Sequence, residues 1–348
     1  MAKVRTSPIW GAASATLTDI DWAILHELAR DPLASSRAVA DAVGISLSQA
    51  QGRIRALDRR SVSHVVAVLD TGASGQSLAW VTVDVRGRAV ELVARELAAI
   101  REVMMVSALA GGAHDILMCV RFRQIGDLDE RLLRKMAKIE GIIRHDLSIV
   151  IASPVFRSEY VTISPDFLKT DVEGIVGDLA IDFDDSVLDT LDRQIVAELQ
   201  VNGRASAKYI SNKYDISAGA VRYRIRNLQN SGVMRFMTLF LPQELGINNF
   251  AFVQISVMNG SVDQVISDLR SRLWLPQLFL CTGSRNIKAV MLAETLDQIM
   301  TERIQDIRNI RGVSQADISP ISRAYKFEMR WGQPFTEPYD HARPTATK

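Results

Sequence analysis

Apolar positions along this chain fall into two textures, and each texture occurs twice. The first is helical. Ile24, Leu25 and Leu28 follow Thr18 and Asp21 at three- and four-residue spacing, which predicts an amphipathic helix with Thr18 as N-cap and Asp21 in a capping-box position. Asp31-Pro32 ends it, because proline disfavours helix at the residue before it. Ser35 or Ser36 opens a second helix with Val39, Ala42 and Val43 inward, closed by Gly44 as a C′ residue. A third helix follows at once, with Ser46 as cap and Ala50, Ile54 and Leu57 as its apolar stripe. Val62 to Leu69 then reads as a strand or wing. Three short helices with a tight turn before the third make a helix-turn-helix pattern.

The second texture is mixed. Trp80 to Val85 alternates as a strand, Ala89–Ile100 is helical, Val103–Leu109 is a strand, and Gly111 to His114 is a turn. Asp115–Phe122 is a strand, Leu128–Ile139 is helical, and Ile142–Ile151 is the last strand. The order is β-α-β-β-α-β, the ferredoxin-like plan.

Both textures return from Leu188 onward. Leu17 and Leu188 lie 188 − 17 = 171 residues apart, and the offset holds without a gap through Val62 and Val233. The identical pairs are core, cap and arginine positions: Ile24/Ile195, Leu28/Leu199, Ser35/Ser206, Ser46/Ser217, Arg53/Arg224, Ile54/Ile225 and Leu57/Leu228. The expected fold is therefore α+β, in two tandem units. Each unit is a winged helix-turn-helix (16–70 and 188–242) followed by a ferredoxin-like domain (77–160 and 249–330). A disordered arm (1–15), an acidic linker (161–187) and a disordered tail (336–348) complete the organisation.

Charge changes this picture only locally. The formal net charge is +1, so any affinity for nucleic acid must reside in patches. The two third helices are such patches: each is apolar on one side and arginine-rich on the other, which suits a major groove lined by phosphates. For one copy alone a solvated amphipathic helix would be the simpler reading, but duplication with serine, arginines and stripe retained favours double-stranded DNA. The candidate DNA-binding residues are Ser46, Ser48, Gln49, Gln51, Arg53 and Arg55 in the first copy. In the second they are Ser217, Arg222, Tyr223, Arg224 and Arg226. Asp21 and Asp192 are read as caps. Cys119 and Cys281 lie in apolar runs without metal or disulfide spacing and read as small buried hydrophobes in a reducing cytoplasm. There is no membrane-length apolar run, Gly-rich phosphate loop, cysteine–histidine metal spacing or nucleophile elbow. No catalytic residue, metal or cofactor is expected.

Several motifs together carry a resemblance. They are Leu188-Asp189-x-Leu191-Asp192-Arg193-x-Ile195, Asn202-Gly203-Arg204-Ala205-Ser206, Ile216-Ser217, Arg224-Ile225-x-x-Leu228 and Ser231-Gly232-Val233-Met234, with Thr282-Gly283-x-x-Asn286 and Ile310-x-Gly312-Val313 further on. In these the chain resembles the leucine-responsive regulator/AsnC (feast/famine) transcription factors, twice over. Copy one departs where Asp31-Pro32-Leu33 replaces an acidic-Gly-Arg turn, where Ser61 replaces a glycine, and where Gly52 interrupts the third helix at about 1 kcal/mol. The resemblance implies ferredoxin-like sheets that pack face to face, here as a pseudo-dimer within one chain, and homo-oligomers of such pseudo-dimers. It also implies a small-molecule effector, often an amino acid, near two turns: Gly112, His114 and Asp115, and Gly283, Arg285 and Asn286. Turn N–H groups hold a carboxylate and an aspartate holds an ammonium, which Asn286 cannot do; an ordinary hairpin turn is the competing reading of both. Because the two third helices differ, the expected DNA site is an imperfect palindrome. The alternative is a sirohaem-decarboxylase-like tetrapyrrole enzyme, which would draw on His114, His145 and Arg285.

Overall fold

A computed structural model of the chain describes residues 17–60, 62–73, 75–156, 186–240, 249–272, 274–327 and, as backbone, 331–332. The expected arm, the tail, Ser61 and all of the acidic linker except Ser186 and Val187 lie outside the described residues.

Along the chain, α1 (Asp19–Arg30), α2 (Ser36–Val43), α3 (Leu47–Arg59) and β1 (Ser63–Asp70) come first. Next are β2 (Ser77–Val85), α4 (Val90–Ala98), β3 (Val103–Leu109) and β4 (Ile116–Phe122). A continuous helical run, α5, is built from Ile125–Asp127, a π-turn Leu128–Leu133 and Arg134–Met136; β5 (Ile142–Phe156) follows. The second copy has α6 (Thr190–Val201), α7 (Ala207–Tyr214), α8 (Ala218–Asn230) and β6 (Met234–Phe240). It continues with β7 (Asn249–Val257), α9 (Val262–Arg270), β8 (Gln277–Cys281) and β9 (Ile287–Ala293). A second mixed run, α10, comprises Leu296–Gln298, a π-turn Ile299–Arg303 and Ile304–Arg308, and precedes β10 (Val313–Phe327) and the short β11 (Trp331–Gly332).

These elements sort into two compact units by kind of domain, not by copy. The first unit holds both three-helix heads. In α1 the Thr18 hydroxyl and the Asp21 carboxylate cap each other's backbone N–H, and Ile24, Leu25 and Leu28 are buried. Ser35 caps α2, which buries Val39 and Ala40, so Ala40 takes the inward place expected of Ala42. Gly44 closes α2 at φ +76°; the equivalent residue after α7 is Asp215 at φ +52°.

The strand after each head does not form a wing on its own head. A lone strand leaves its backbone groups unpaired, and here each finds the other: β1 and β6 pair antiparallel from Ser63↔Phe240 to Leu69↔Met234. Val66 faces Met237, and 66 + 171 = 237, so the pseudo-twofold axis runs through this pair. β11 adds to the other edge of β1.

The two heads grip one another unequally. The Gly203 N–H donates to the Val65 carbonyl at 2.8 Å, and a Cβ on Gly203 would lie 2.9 Å from Val65 backbone atoms. The Arg204 guanidinium donates to the Pro32 carbonyl at 2.7 Å and the Ala34 carbonyl at 3.2 Å. The equivalent positions in head one are Pro32 and Leu33 (203 − 171 and 204 − 171), which lack both groups. Head one contributes His64 instead, with Nδ1 against Asp58 Oδ1 at 3.0 Å and Nε2 against the Val201 carbonyl at 2.7 Å.

The second unit is a closed antiparallel barrel of eight strands, in the order β10-β3-β4-β2-β5-β8-β9-β7. Each copy supplies four contiguous strands. The β5–β8 and β10–β3 edges close the ring, so the expected face-to-face sheets are also joined at both edges. The joins differ by one residue: Val150 faces Cys281, while its counterpart Ile321 (150 + 171) faces Leu109, not Ala110 (281 − 171). Outside the ring, Ala79, Val81 and Val83 pack under α4 and α5, and Ile287, Ala289 and Met291 pack under α9 and α10. Strand alternation therefore turns Trp80, Cys119, Phe252, Phe279, Cys281 and Lys288 into the interior. There Trp80 meets Phe252 at 5.3 Å and Phe279 at 5.1 Å, ring centre to ring centre. Burial pushes both thiols up to about 12, which fits inert apolar cysteines.

Candidate DNA-reading helices and effector turns

Ser46 and Ser217 cap α3 and α8, their hydroxyls accepting from the Gln49 and Ala220 N–H groups at 3.2 and 3.0 Å. In head one Gln49 returns the bond, its Oε1 accepting from the Ser46 N–H at 3.0 Å. The Gln49 carboxamide is thus held at the helix start with its NH2 group outward. Ala50 and Leu57 are buried on the inner side of α3, as Val221 and Leu228 are on α8.

The arginines divide into two kinds. Arg53 is only partly exposed: its Nη1 donates to Asp21 Oδ1 at 2.7 Å and Thr18 Oγ1 at 2.9 Å. Arg224 repeats this, with Nη1 donating to Asp189 Oδ2 at 2.6 Å and Asp192 Oδ1 at 2.8 Å. Both are held by carboxylates and about a third exposed, so they are less free to reach a duplex than Arg55, Arg222 and Arg226. Each ties the third helix to the N-terminus of the first, where the carboxylates also cap the helix. Positions 50, 53, 54 and 57 form one i, i+3, i+4, i+7 face, so Arg53 lies at the margin of the inner stripe; 221, 224, 225 and 228 repeat it.

Arg55, Arg222 and Arg226 are exposed and make no ion pair among the described residues. Ser48, Gln51 and Tyr223 share this outer surface, Tyr223 with 64 % of its area open. Arg222 and Arg226 stand one turn apart, and their head-one counterparts are Gln51 and Arg55 (222 − 171 and 226 − 171). Head two therefore presents two free guanidinium groups and a tyrosine where head one presents one guanidinium group and amides.

The two turns expected to hold an effector sit in the barrel unit, each against the last strand of the opposite copy. Gly112, at φ +93°, would place a Cβ 2.5 Å from Ser319 Oγ of β10, so only glycine fits. Gly283, at φ +97°, would place one 3.8 Å from Ser148 Oγ of β5, the equivalent serine (148 + 171 = 319). Asp115 Oδ2 accepts from the Val85 N–H at 2.7 Å, and Asn286 Oδ1 accepts from the Val257 N–H at 3.1 Å. The side chain expected to hold an ammonium thus tethers a neighbouring strand, a task that asparagine performs equally.

The third turn residues carry the charge. His114 Nδ1 lies 2.7 Å from Asp84 Oδ1 and its Nε2 3.7 Å from Asp146 Oδ2. Arg144 joins this cluster, 3.0 Å from Asp84. Arg285 Nη2 pairs with Asp317 Oδ2, the counterpart of Asp146 (146 + 171), at 2.5 Å. Asp84, Asp146 and Asp317 were not among the expected residues. Asp84 had a signal in the sequence, a carboxylate in an otherwise largely apolar strand; Asp146 and Asp317 lie in polar stretches and had none. Among the described residues, no group of three or more metal-ligating side chains converges and no helix is long and apolar enough to cross a membrane.

Against known proteins, the AsnC-type helix-turn-helix domain matches twice, at residues 17–58 and 188–229, and the Lrp/AsnC ligand binding domain matches residues 78–160. An uncharacterized HTH-type transcriptional regulator of Pyrococcus horikoshii is 32% identical over 146 residues, 42% of this chain and 90% of the relative. A further HTH-type transcriptional regulator of that organism is 31% identical over 140 residues, 40% of this chain and 92% of the relative. In fold, the siroheme decarboxylase NirDL aligns over 92% of this chain and 95% of its own, at 15% identity and a TM-score of 0.56. The class is a helix-turn-helix protein with a ligand-binding domain. The chain belongs to the Lrp/AsnC family of DNA-binding transcriptional regulators, with two family units in tandem.

Proposed function

We propose that this regulator reads an imperfect palindrome with two unequal helix-turn-helix heads, and that a small metabolite bound by its ferredoxin-like half-domains controls the binding. The observation that carries the reading is the pair of outward third helices with different free side chains: Arg222, Tyr223 and Arg226 on one, Gln51 and Arg55 on the other. Free guanidinium groups gain phosphate contacts and release counterions, while amide and tyrosine groups read base edges. Both heads belong to one compact unit whose pseudo-twofold axis suits two half-sites. Homo-oligomers of such chains would place several of these units along one duplex. Selection of duplexes from a random pool, with and without an amino-acid mixture, tests the proposal. Two related but unequal half-sites are expected, with enrichment altered by the mixture; a symmetric site or none at all would defeat it.

A second reading, tetrapyrrole chemistry, is favoured by the fold shared with the siroheme decarboxylase. Of the three groups it would draw on, His114 and Arg285 are engaged by carboxylates, and His145 is exposed on β5. Titration with an iron porphyrin carboxylate separates the readings: a new haem-like absorbance band on the purified protein would support the enzyme.

A further inference from the structure

Lys288 sits on β9 between Ile287 and Ala289, whose side chains pack under the helices; its own therefore enters the barrel. It is 3 % exposed. Its Nζ has one hydrogen-bond contact, to Gln254 Oε1 at 3.4 Å, and lies 5.9 Å from the centre of the Phe252 ring. It makes no ion pair among the described residues. A buried ammonium with so little compensation is costly. Burial lowers its pKa, and the Asp146 carboxylate, which acts on it without forming an ion pair, offsets this only in part.

Two further polar groups close by are unsatisfied. Arg285 uses Nη2 on Asp317, but its Nη1 is buried without an acceptor, and this guanidinium is near enough to Lys288 to repel it. The Trp80 indole N–H is also buried without an acceptor, on a residue 3 % exposed. Trp80 packs on Phe252 and Phe279, and Phe279 is the β8 register partner of Lys288. The barrel wall thus brings together a buried ammonium with one long hydrogen bond, a guanidinium with one buried N–H group unsatisfied, an indole N–H donor without an acceptor, and an aromatic surface. The first copy has Leu117 at the position of Lys288 (117 + 171 = 288) and His114 at that of Arg285.

We propose that Lys288 and Arg285 form the carboxylate-recognising end of a single effector site per chain, which takes an organic acid with an aromatic or branched apolar body and no ammonium group. The inference rests on the effector reading above and gives it a ligand class. A carboxylate oxygen accepts from the Lys288 ammonium and Arg285 Nη1, and the apolar body meets Phe252, Phe279 and Trp80. An α-ammonium is disfavoured, since it would enter beside two cations. The nearby carboxylates are already engaged: Asp317 by Arg285, and Asp146 by Arg144 at 3.5 Å.

The test is calorimetric titration of the full chain with phenylpyruvate and 4-methyl-2-oxopentanoate, and with phenylalanine and leucine as their ammonium-bearing counterparts. One site per chain is expected, with the oxo acids bound at least tenfold more tightly. Lys288→Met should weaken oxo-acid binding at least tenfold while raising the melting temperature, which separates a lost contact from a lost fold. Lys288→Arg should retain binding within a few fold. Equal affinity for oxo acids and amino acids, two sites per chain, undiminished binding by Lys288→Met, or no binding of any acid would overturn the proposal. DNA binding by the unliganded wild-type chain, measured on the same preparation, reports on the regulator reading independently.

Discussion

The two heads are copies of one design, and they differ most where they touch something else. Within each head the same parts recur: a serine caps the third helix, an arginine clamps it to the first, and a leucine closes the core. Outside, head two has Arg222, Tyr223 and Arg226 free, and it alone reaches across with Gly203 and Arg204. Head one answers with amides on its outer surface and with Pro32 and Leu33 in the turn. Internal packing has held duplicate positions together, while outer and mutual contacts have separated them. In a symmetric dimer both turns would carry the same residues and each grip would be made twice. Here one chain makes it once, and the other turn has lost the glycine and arginine it would need.

The largest expected effect comes from removing what only head two possesses. Arg222→Ala with Arg226→Ala should weaken DNA binding by roughly ten- to a hundredfold and reduce the slope of log affinity against log salt by about 2, near 0.9 per phosphate contact. Arg55→Ala should reduce it by about 1. Equal slopes for the two variants would erase the distinction between heads. Arg224→Gln sharpens the division between the two kinds of arginine: it should leave the slope unchanged and lower thermal stability.

Next comes the mutual grip. Gly203→Ala forces a Cβ against the Val65 backbone and should cost about 2 kcal/mol in chemical unfolding of the head unit. Pro32→Ala, at the equivalent place in head one, should cost well under 1 kcal/mol.

A smaller effect follows pH. Burial alone would lower the pKa of His64, but the hydrogen bond to Asp58 and the contact with Val201 outweigh it, and the pKa is raised. His64 therefore contributes stability that is fully present below its ordinary value of 6.5 and lost as pH rises through its higher folded value. Wild-type protein should melt higher at pH 6 than at pH 8, and His64→Gln should flatten that difference. The smallest change is Asp215→Gly, which relieves a left-handed non-glycine residue and should stabilise by about 0.5 kcal/mol in the same unfolding assay, whereas Gly44→Asp should destabilise.

Much of this was legible in the chain. The 171-residue offset, the capping serines and the β-α-β-β-α-β order all follow from local spacing, and local spacing determines helices and strands. That carboxylates hold Arg53 and Arg224 while Arg55, Arg222 and Arg226, two positions away, stand free was not legible. The place of Arg53 and Arg224 at the margin of the i, i+3, i+4, i+7 face was visible, but the carboxylates that hold them sit more than thirty residues away. The wing was misread for a related reason: a strand's pattern does not name its partner, and β1 finds it in β6, far along the chain. Asp115 and Asn286 looked chemically unequal, yet each needs only one carbonyl-type oxygen for its tether. Lys288 stood as a lone charge in an apolar run, and alternation alone could not say which way it turned.

The closed ring of strands has a consequence for how such a regulator responds to its own abundance. Both edges of each half-sheet are already taken by the same polypeptide. A ring made this way does not come apart on dilution, and it offers no free edge through which a paralogue's half-sheet could exchange in. Its two-headed state is a property of folding and not of expression level, so any dependence on cellular dose must arise at a later step of assembly.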